Sequence, residues 1–281
     1  MTAADTSTNS TALRVEKATP TIGARVHGVA LDQPATPQLT QALREALHEH
    51  GVLFFDLGDR EVSEEEQRGF ARLFGELEPV YGFGSKEKEG EDKTKGGAAG
   101  CIDAVYQPLK QYRTNMWHTD GTPFECPPQA AILTSIIPPD LGGGTMWANM
   151  YAAYEDLSSH YQNLLDGLQV VHSTMRTPYV KQQTHTTHPA IIRDPVTGKK
   201  ALYVNSVYSE RFVDMSESES DSLLRFLFEH ANTPEFHVHL TWKRGTTAVW
   251  EERVTQHRAV DSFIGTRRLR RVTVKGDKPS A

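Results

Sequence analysis

Two histidines and one aspartate are the residues of this chain best suited to bind a metal ion. His118 and Asp120 lie two positions apart, and side chains at i and i+2 of an extended strand point to the same face. An imidazole and a carboxylate side by side, joined by a second histidine, form the 2-His-1-carboxylate site of non-haem Fe(II) oxygenases. His257 is the candidate for that second histidine, because it lies between two strand-like runs.

The pattern alone does not separate a metal site from ordinary structural residues. In a chain with 12 histidines, about one His-x-Asp triplet is expected by chance. A lone histidine such as His257 is also more often a structural residue of the core than a ligand. The metal-site interpretation therefore depends on the rest of the sequence.

Four arginines occur within five positions of the strand-like segment 267–274. The planar guanidinium group binds a carboxylate through two parallel hydrogen bonds, and a core or an ordinary surface strand does not require such a cluster. On a strand, Arg267 and Arg271 share one face, whereas Arg268 and Arg270 share the other. The segment therefore predicts a binding site for organic anions.

Eight short motifs follow one another in a characteristic order. They are Trp117–Thr122, Pro127–Leu133, Gly142–Trp147, His188–Pro189, Leu202–Asn205, Met215–Ser220, Val254–His257 and Gly276–Pro279. In these motifs the chain resembles the taurine dioxygenase family, which also includes alkylsulfatases and aryloxyalkanoate dioxygenases. The resemblance extends from about Ala24 to Pro279, which is nearly the whole chain.

The resemblance implies a mainly β fold with flanking α-helices, namely a double-stranded β-helix or jelly roll. It implies an Fe(II)- and 2-oxoglutarate-dependent dioxygenase, which uses O2 to hydroxylate a small, anionic organic substrate. Succinate and CO2 are released, and the hydroxylated product fragments if oxygen is added beside a heteroatom. The alternative is a catalytically inactive jelly-roll module that binds a metal or ligand. Such a module would usually lack a metal ligand or the arginines, and both are present here.

The same resemblance assigns roles to individual residues. His118, Asp120 and His257 match the iron ligands and are therefore the catalytic residues. Thr145 and Arg267 match the pair that binds the distal carboxylate of 2-oxoglutarate.

The family places a second arginine four residues after the first. It corresponds to Arg271, near both cosubstrate and iron, where it can reach an anionic group of the substrate. The loop after His257 looks one residue shorter than in taurine dioxygenase. Arg268 therefore stays open as an alternative to Arg267.

The predicted substrate pocket contains Glu78, Tyr81, Asn205 and Arg271. Taurine dioxygenase has a histidine in place of Glu78, and that histidine donates a hydrogen bond to the substrate sulfonate. An ionised Glu78 has no proton to donate and repels the sulfonate. The alternatives are that Glu78 pairs with an amine or hydroxyl group of the substrate, or that it turns away and pairs with a lysine of residues 82–100.

Three further positions depart from the family pattern. Gly144 stands where the family commonly has Asp, and Glu251-Glu252 stands where it usually has Asp-Asn. We expect these changes to alter the hydrogen bonds around the site rather than the reaction.

Composition limits the partners and the cellular setting. The net charge of −6 and the isoelectric point near 6.1 argue against nucleic acid or an anionic membrane as partner. No apolar run is long enough to span a bilayer. With Cys101 and Cys126 as the only cysteines, we expect no disulfide framework and a cytoplasmic location. A homo-oligomer, dimer or tetramer, is expected from the relatives.

The chain predicts one domain, residues 13–281, after a disordered tail, residues 1–12. Residues 82–112 are predicted to be an active-site lid, since long structureless insertions in compact domains are often lids. The alternative for 82–100 is a solvated surface loop, because this stretch combines glycines with charged residues and almost no apolar ones. Helices are predicted after the caps Thr36, Ser63 and Ser216. Strands are predicted at Val52–Phe55, Ala130–Ile136, Ala201–Val204, Phe236–Trp242, Thr247–Trp250 and Leu269–Val274. Strands scattered between a few helices indicate an antiparallel barrel or sandwich with flanking helices.

Overall fold

The computed structural model describes residues 13–31, 34–78, 101–106, 115–175 and 183–281, with the backbone alone for 101–106. Its helices are α1 (Pro37–His50), α2 (Glu64–Ala71), α3 (Met150–Glu155), α4 (Ser159–Leu165) and α5 (Glu217–Ala231). Its first nine strands are β1 (Arg14–Lys17), β2 (Ala24–His27), β3 (Val52–Asp56), β4 (Cys101–Tyr106), β5 (Ala130–Ile137), β6 (Leu141–Gly142), β7 (Thr145–Asn149), β8 (Gln169–Ser173) and β9 (His185–Pro189). The remaining eight are β10 (Ile191–Arg193), β11 (Lys200–Leu202), β12 (Ser209–Phe212), β13 (His237–Leu240), β14 (Thr246–Glu251), β15 (Thr255–Ala259), β16 (Phe263–Ile264) and β17 (Arg267–Val274).

The three predicted helix caps form as expected. Thr36 accepts a hydrogen bond from the backbone N–H of Leu39, and α1 ends at Gly51, whose φ of 71° suits a residue without a side chain. Ser63 and Ser216 each form a capping box with the glutamate three residues later. The six predicted strands are also present, with ends shifted by a few residues at most.

Ten of the described strands form two facing sheets that give the jelly roll, and the other seven form the small sheets β12-β8-β9, β10-β11 and β16-β6. The larger sheet has the order β1-β2-β3-β14-β5-β17-β4, and it faces a smaller sheet with the order β13-β7-β15. Trp147 of the smaller sheet and Trp250 of the larger one lie fully buried between the two, with ring centroids 5.6 Å apart. Helices α1 and α2 pack on the outer face of the larger sheet, against residues such as Val249 and Val272.

Strand β17 carries the arginine cluster through the middle of the larger sheet. Its Leu269 belongs to the core between the sheets, whereas Val272 belongs to the core under the helices. Because successive side chains alternate between faces, Arg271 lies on the inner face with Leu269. The register slips by one residue against β5 between Arg268 and Leu269, as at a β-bulge.

The predicted tail, residues 1–12, lies outside the described residues, as do Tyr81 and most of the predicted lid, 82–112. Within that lid segment, Cys101–Tyr106 forms β4, which pairs with β17. Among the described residues, no helix is long and apolar enough to cross a membrane.

Candidate metal centre

The two candidate histidines are brought together by pairing between distant parts of the chain. His257 lies in the middle of β15, and His118 forms an isolated antiparallel bridge with it. Each backbone N–H donates to the carbonyl of the other residue, at 3.1 and 2.8 Å. The two imidazole rings lie on the same side of this bridge, with centroids 4.3 Å apart.

Asp120 reaches the same place through a turn rather than through the continuous strand that the sequence predicted. Only His118 has strand pairing, and the chain turns at Asp120 into Gly121, which has a φ of 72°. A Cβ atom at Gly121 would lie 2.5 Å from Cδ of Pro128, so both the backbone and the space require glycine. The hydroxyl of Thr119 donates to the carbonyl of Thr255 at 2.8 Å and holds this loop on β15.

The structure places one ligand atom from each of His118, Asp120 and His257 within 4.8 Å of one another. Nε2 of His118 is 3.7 Å from Oδ1 of Asp120, and Nε2 of His257 is 3.3 Å from Oδ2. Nδ1 of His118 lies 2.7 Å from the carbonyl oxygen of Met116. That contact places the ring proton on Nδ1, because a carbonyl can only accept, and leaves the lone pair of Nε2 for a metal ion.

The protonation states of these groups suit a divalent cation. Burial raises the pKa of Asp120, but the Arg271 guanidinium and the His257 ring outweigh it and hold this pKa well below its usual range. Burial, followed by the nearby His118, lowers the pKa of His257 to about 4. Near neutral pH the cluster therefore offers a carboxylate and a neutral imidazole, and the donor set fits Fe(II).

A second layer of charged groups surrounds the cluster. The guanidinium group of Arg271 donates a hydrogen bond through Nη1 to Oδ2 of Asp120. Its Nη2 donates to Oε1 of Glu252 at 2.9 Å. Glu252 is fully buried. Burial, followed by the neighbouring Asp120, raises its pKa well above the usual value.

Arg267 contacts the backbone that leads into Thr145, the first residue of β7. Arg267 is 1% exposed, and its NH1 donates to the carbonyl of Gly143 at 2.7 Å, two residues before Thr145. Trp242 donates its indole N–H to the hydroxyl of Thr145 at 3.0 Å, which leaves the hydroxyl proton for another acceptor. A guanidinium and a hydroxyl donor side by side are suited to bind a carboxylate.

The comparison with known families agrees with this arrangement. The family described as "Taurine catabolism dioxygenase TauD, TfdA family" matches residues 14–273, which include the three candidate ligands and both candidate arginines. The chain belongs to the TauD/TfdA family. It is therefore a 2-oxoglutarate-dependent dioxygenase, and the enzyme interpretation of the sequence is confirmed.

Relatives in the TauD/TfdA family cover almost the whole chain. An alkylsulfatase of Acinetobacter baylyi is 33% identical over 94% of this chain and 86% of its own length. An alpha-ketoglutarate-dependent sulfate ester dioxygenase of Pseudomonas putida is 33% identical over 92% of this chain and 88% of its own. A putative alpha-ketoglutarate-dependent taurine dioxygenase of Burkholderia xenovorans has a crystal structure with a TM-score of 0.82 and 34% identity, covering 95% and 94% of the two chains.

The departure from the TauD/TfdA pattern at Gly144 has a structural reason. A Cβ atom there would lie 2.2 Å from Nε2 of His239 and 2.5 Å from the carbonyl oxygen of Leu240 on β13. The neighbouring strand therefore occupies the space that the side chain of an aspartate would need.

We expect Gly144→Ala to destabilise the protein by about 1 to 3 kcal/mol, the range for inserting an extra carbon into a packed site. Urea unfolding measures this change in the free energy of unfolding, provided that the slope of that free energy against urea concentration is the same in both proteins. Because Thr145 follows directly, the variant should also bind 2-oxoglutarate more weakly. Gly69→Ala is the control, since nothing lies within 4 Å of its added Cβ and, like Gly144, it does not adopt a positive φ. Equal stability of the two variants would contradict the packing argument.

The predicted substrate residues have unequal support. Glu78 is 4% exposed and lies next to Arg271 and Thr273. Burial raises its pKa to about 7, although Arg271 and Thr273 act in the opposite direction. Asn205 uses its amide to accept from the N–H groups of Val207 and Tyr208.

The amide nitrogen of Asn205 also donates to Thr122 at 3.3 Å, in the loop after Asp120. These contacts hold two loops together, and a direct contact of Asn205 with substrate stays a prediction.

Two site residues were not selected from the sequence. Glu252 was noted only as a departure from the family pattern, and Tyr208 was not noted at all. Tyr208 is buried, and burial, followed by the charge of Asp120, raises the pKa of its phenol. Glu252 joins the site because His118 pairs with His257 of β15, so no local sequence signal indicates its position.

Proposed function

We propose that this enzyme binds Fe(II) through His118, Asp120 and His257 and hydroxylates a small organic acid with 2-oxoglutarate and O2. The observation that carries the proposal is the convergence of the three ligand atoms within 4.8 Å. Bound Fe(II) and 2-oxoglutarate supply the insertion of one oxygen atom of O2 into a C–H bond, while 2-oxoglutarate becomes succinate and CO2. The residues of the chain bind and orient the reactants.

The distal carboxylate of 2-oxoglutarate is assigned to Thr145 and Arg267. Both are buried, and the guanidinium contacts the backbone two residues before the threonine. Arg267 shares the inner face of β17 with Arg271 and Leu269, whereas alternation along the strand places Arg268 on the outer face. This geometry favours Arg267 over Arg268 for the cosubstrate.

Arg271 is assigned to the anionic group of the substrate. Its side chain is 23% exposed, and it pairs with Asp120, so its guanidinium group lies beside the proposed metal ligands and is partly accessible. The relatives named alkylsulfatase and sulfate ester dioxygenase make alkyl sulfate esters the first candidates. Hydroxylation of the carbon that carries the ester oxygen gives a product that breaks into an aldehyde and inorganic sulfate.

Glu78 makes the choice among anions depend on pH. As a carboxylic acid it can donate a hydrogen bond to an anion beside Arg271, and as a carboxylate it repels that anion. Its pKa of about 7 puts this change within the working range of the enzyme. The KM for anionic substrates should therefore rise as pH increases through 7.

A substrate panel tests the proposal. Succinate release and O2 uptake are measured with alkyl sulfates of increasing chain length and with taurine. We expect turnover with alkyl sulfates, whose apolar chains add about 0.8 kcal/mol of binding per buried methylene. Taurine offers little apolar surface and should be a poor substrate at pH 8. A panel in which no organic acid stimulates succinate release would contradict the proposed substrate class.

The variant Glu78→His separates the charge argument from chain length. It should improve taurine turnover at pH 8, because a neutral imidazole can still donate a hydrogen bond to the sulfonate. Glu76→His is the control, since Glu76 pairs with Lys275 at the surface. Efficient taurine turnover by the unmodified enzyme at pH 8 would show that the Glu78 argument is wrong.

A small-molecule substrate agrees with the net charge of −6. The absence of nucleic acid and membrane partners, the dimeric or tetrameric state and the cytoplasmic location stay predictions.

A further inference from the structure

The carboxylate of Glu252 contacts three groups of the proposed metal centre at once. Its Oε2 accepts a hydrogen bond from the backbone N–H of Asp120 at 3.3 Å and lies 3.8 Å from Nδ1 of His257. Its Oε1 accepts from NH2 of Arg271 at 2.9 Å. A fully buried carboxylate is costly to keep unless such partners compensate for lost hydration, so its position calls for a reason.

We propose that Glu252 is a positioning residue that orients His257 and thereby sets the affinity of the metal centre. The inference rests on the proposed function. Nε2 of His257 is the nitrogen that faces Asp120, so a metal ion bound there requires the ring proton on Nδ1. Nδ1 is buried and makes no hydrogen bond with the residues that the structure describes. Glu252 is the acceptor beside it, and a movement of about 1 Å brings the pair to hydrogen-bond distance.

The two histidines of the site are therefore oriented by acceptors of different charge. Nδ1 of His118 lies 2.7 Å from the neutral carbonyl of Met116. Nδ1 of His257 faces the carboxyl group of Glu252. Burial and Asp120 raise the pKa of that group, but Arg271 acts in the opposite direction, and a bound divalent cation would favour the ionised form. As a carboxylate, the group makes an imidazole a stronger donor to a metal ion than a carbonyl does. Because of Glu252, we expect His257 to contribute more than His118 to the affinity for the metal ion.

Glu252 also fixes the position of Arg271 relative to Asp120. The guanidinium group forms ion pairs with both carboxylates, through Nη1 with Asp120 and through Nη2 with Glu252. Glu252 thus acts on Asp120 by two routes, through its backbone N–H and through Arg271. Glutamine at this position has one acceptor oxygen in place of two. It therefore cannot accept hydrogen bonds from Arg271 and from the His257–Asp120 side at the same time.

The test compares Glu252→Gln with Glu251→Gln. Glu251 is the matched control, because it is the preceding residue, is also fully buried and pairs instead with Arg253 at 2.7 Å. The probe is Mn(II), whose binding is followed by loss of the electron paramagnetic resonance signal of the free ion. Thermal unfolding of the metal-free proteins is measured in parallel.

We expect Glu252→Gln to raise the dissociation constant for Mn(II) about 10- to 100-fold, the range for losing an outer partner of a metal ligand. Glu251→Gln should lower the unfolding temperature and leave the Mn(II) affinity unchanged. Glu252→Asp retains the charge and should bind Mn(II) more tightly than Glu252→Asn. That second comparison decides the question if the glutamine variant does not fold.

Equal Mn(II) affinity of Glu252→Gln and the wild type overturns the inference, as does equal affinity of the aspartate and asparagine variants. A wild-type protein that binds no Mn(II) contradicts the proposed metal centre itself. The two failures are therefore distinguishable. A merely structural role of Glu252 would lower the unfolding temperature without changing the affinity of the folded protein, which is the behaviour assigned to Glu251→Gln.

Discussion

Replacing His118 or His257 with alanine is expected to abolish the weak visible absorption band that forms when Fe(II) and 2-oxoglutarate are added without oxygen. Each residue supplies one of the three ligand atoms that the described part of the chain brings within 4.8 Å of one another. Loss of an outer partner of a ligand costs about 10- to 100-fold in affinity, so loss of a ligand should cost more than about 100-fold. Succinate formation should fall to the background in both variants.

The control for this experiment is His230→Ala. His230 is a partly buried histidine of α5 whose Nε2 lies 2.7 Å from the carbonyl of Ala153, remote from the metal centre in sequence and in its contacts. The band should persist in this variant. Asp120→Ala should also lose the band, although it removes the partner of Arg271 as well. A band that survives in all three ligand variants would show that the ligands are assigned wrongly.

The parts of this site that the sequence predicted follow from short-range periodicity. The alternation of side chains along a strand was enough to group Arg267 with Arg271, and the structure places Arg271 on the inner face with Leu269. The capping boxes at Ser63 and Ser216 were likewise visible within four residues of sequence. The resemblance to the TauD/TfdA family supplied the jelly roll, because local patterns indicated only a barrel or sandwich with helices.

The parts that the sequence did not predict depend on contacts between distant residues. His118 and Asp120 were expected on one strand, but the pairing of His118 with His257 and the turn at Gly121 bring them together instead. Glu252 belongs to the site only because β15 carries His257 next to the loop of Asp120. Neither the meeting of His118, Asp120 and His257 nor the position of Glu252 is marked by a pattern within a short stretch of sequence. The one-residue register slip between Arg268 and Leu269 is equally invisible in the sequence, because it is defined only by the pairing of β17 with β5.

Arg267→Ala is expected to weaken 2-oxoglutarate binding about 10- to 150-fold, whereas Arg268→Ala should leave it nearly unchanged. A hydrogen-bonded partner of a charged group contributes about 1.5 to 3 kcal/mol, and each 1.4 kcal/mol is a tenfold change in affinity. Arg267 is 1% exposed beside the loop of Thr145, whereas Arg268 is only partly buried and lies on the opposite face of β17. Anaerobic titration of the Fe(II) protein with 2-oxoglutarate, followed by the same visible band, gives both affinities.

Arg267 also donates to the carbonyl of Gly143, so its loss should destabilise the fold as well as the complex. Arg267→Lys separates these effects, because lysine keeps the charge but lacks the planar fork that grips a carboxylate through two bonds. We expect its affinity for 2-oxoglutarate to fall between those of wild type and Arg267→Ala. A larger loss in Arg268→Ala than in Arg267→Ala would mean that the strand presents the other arginine to the cosubstrate. In that case the shorter loop after His257 would have shifted the arginine by one position relative to the family.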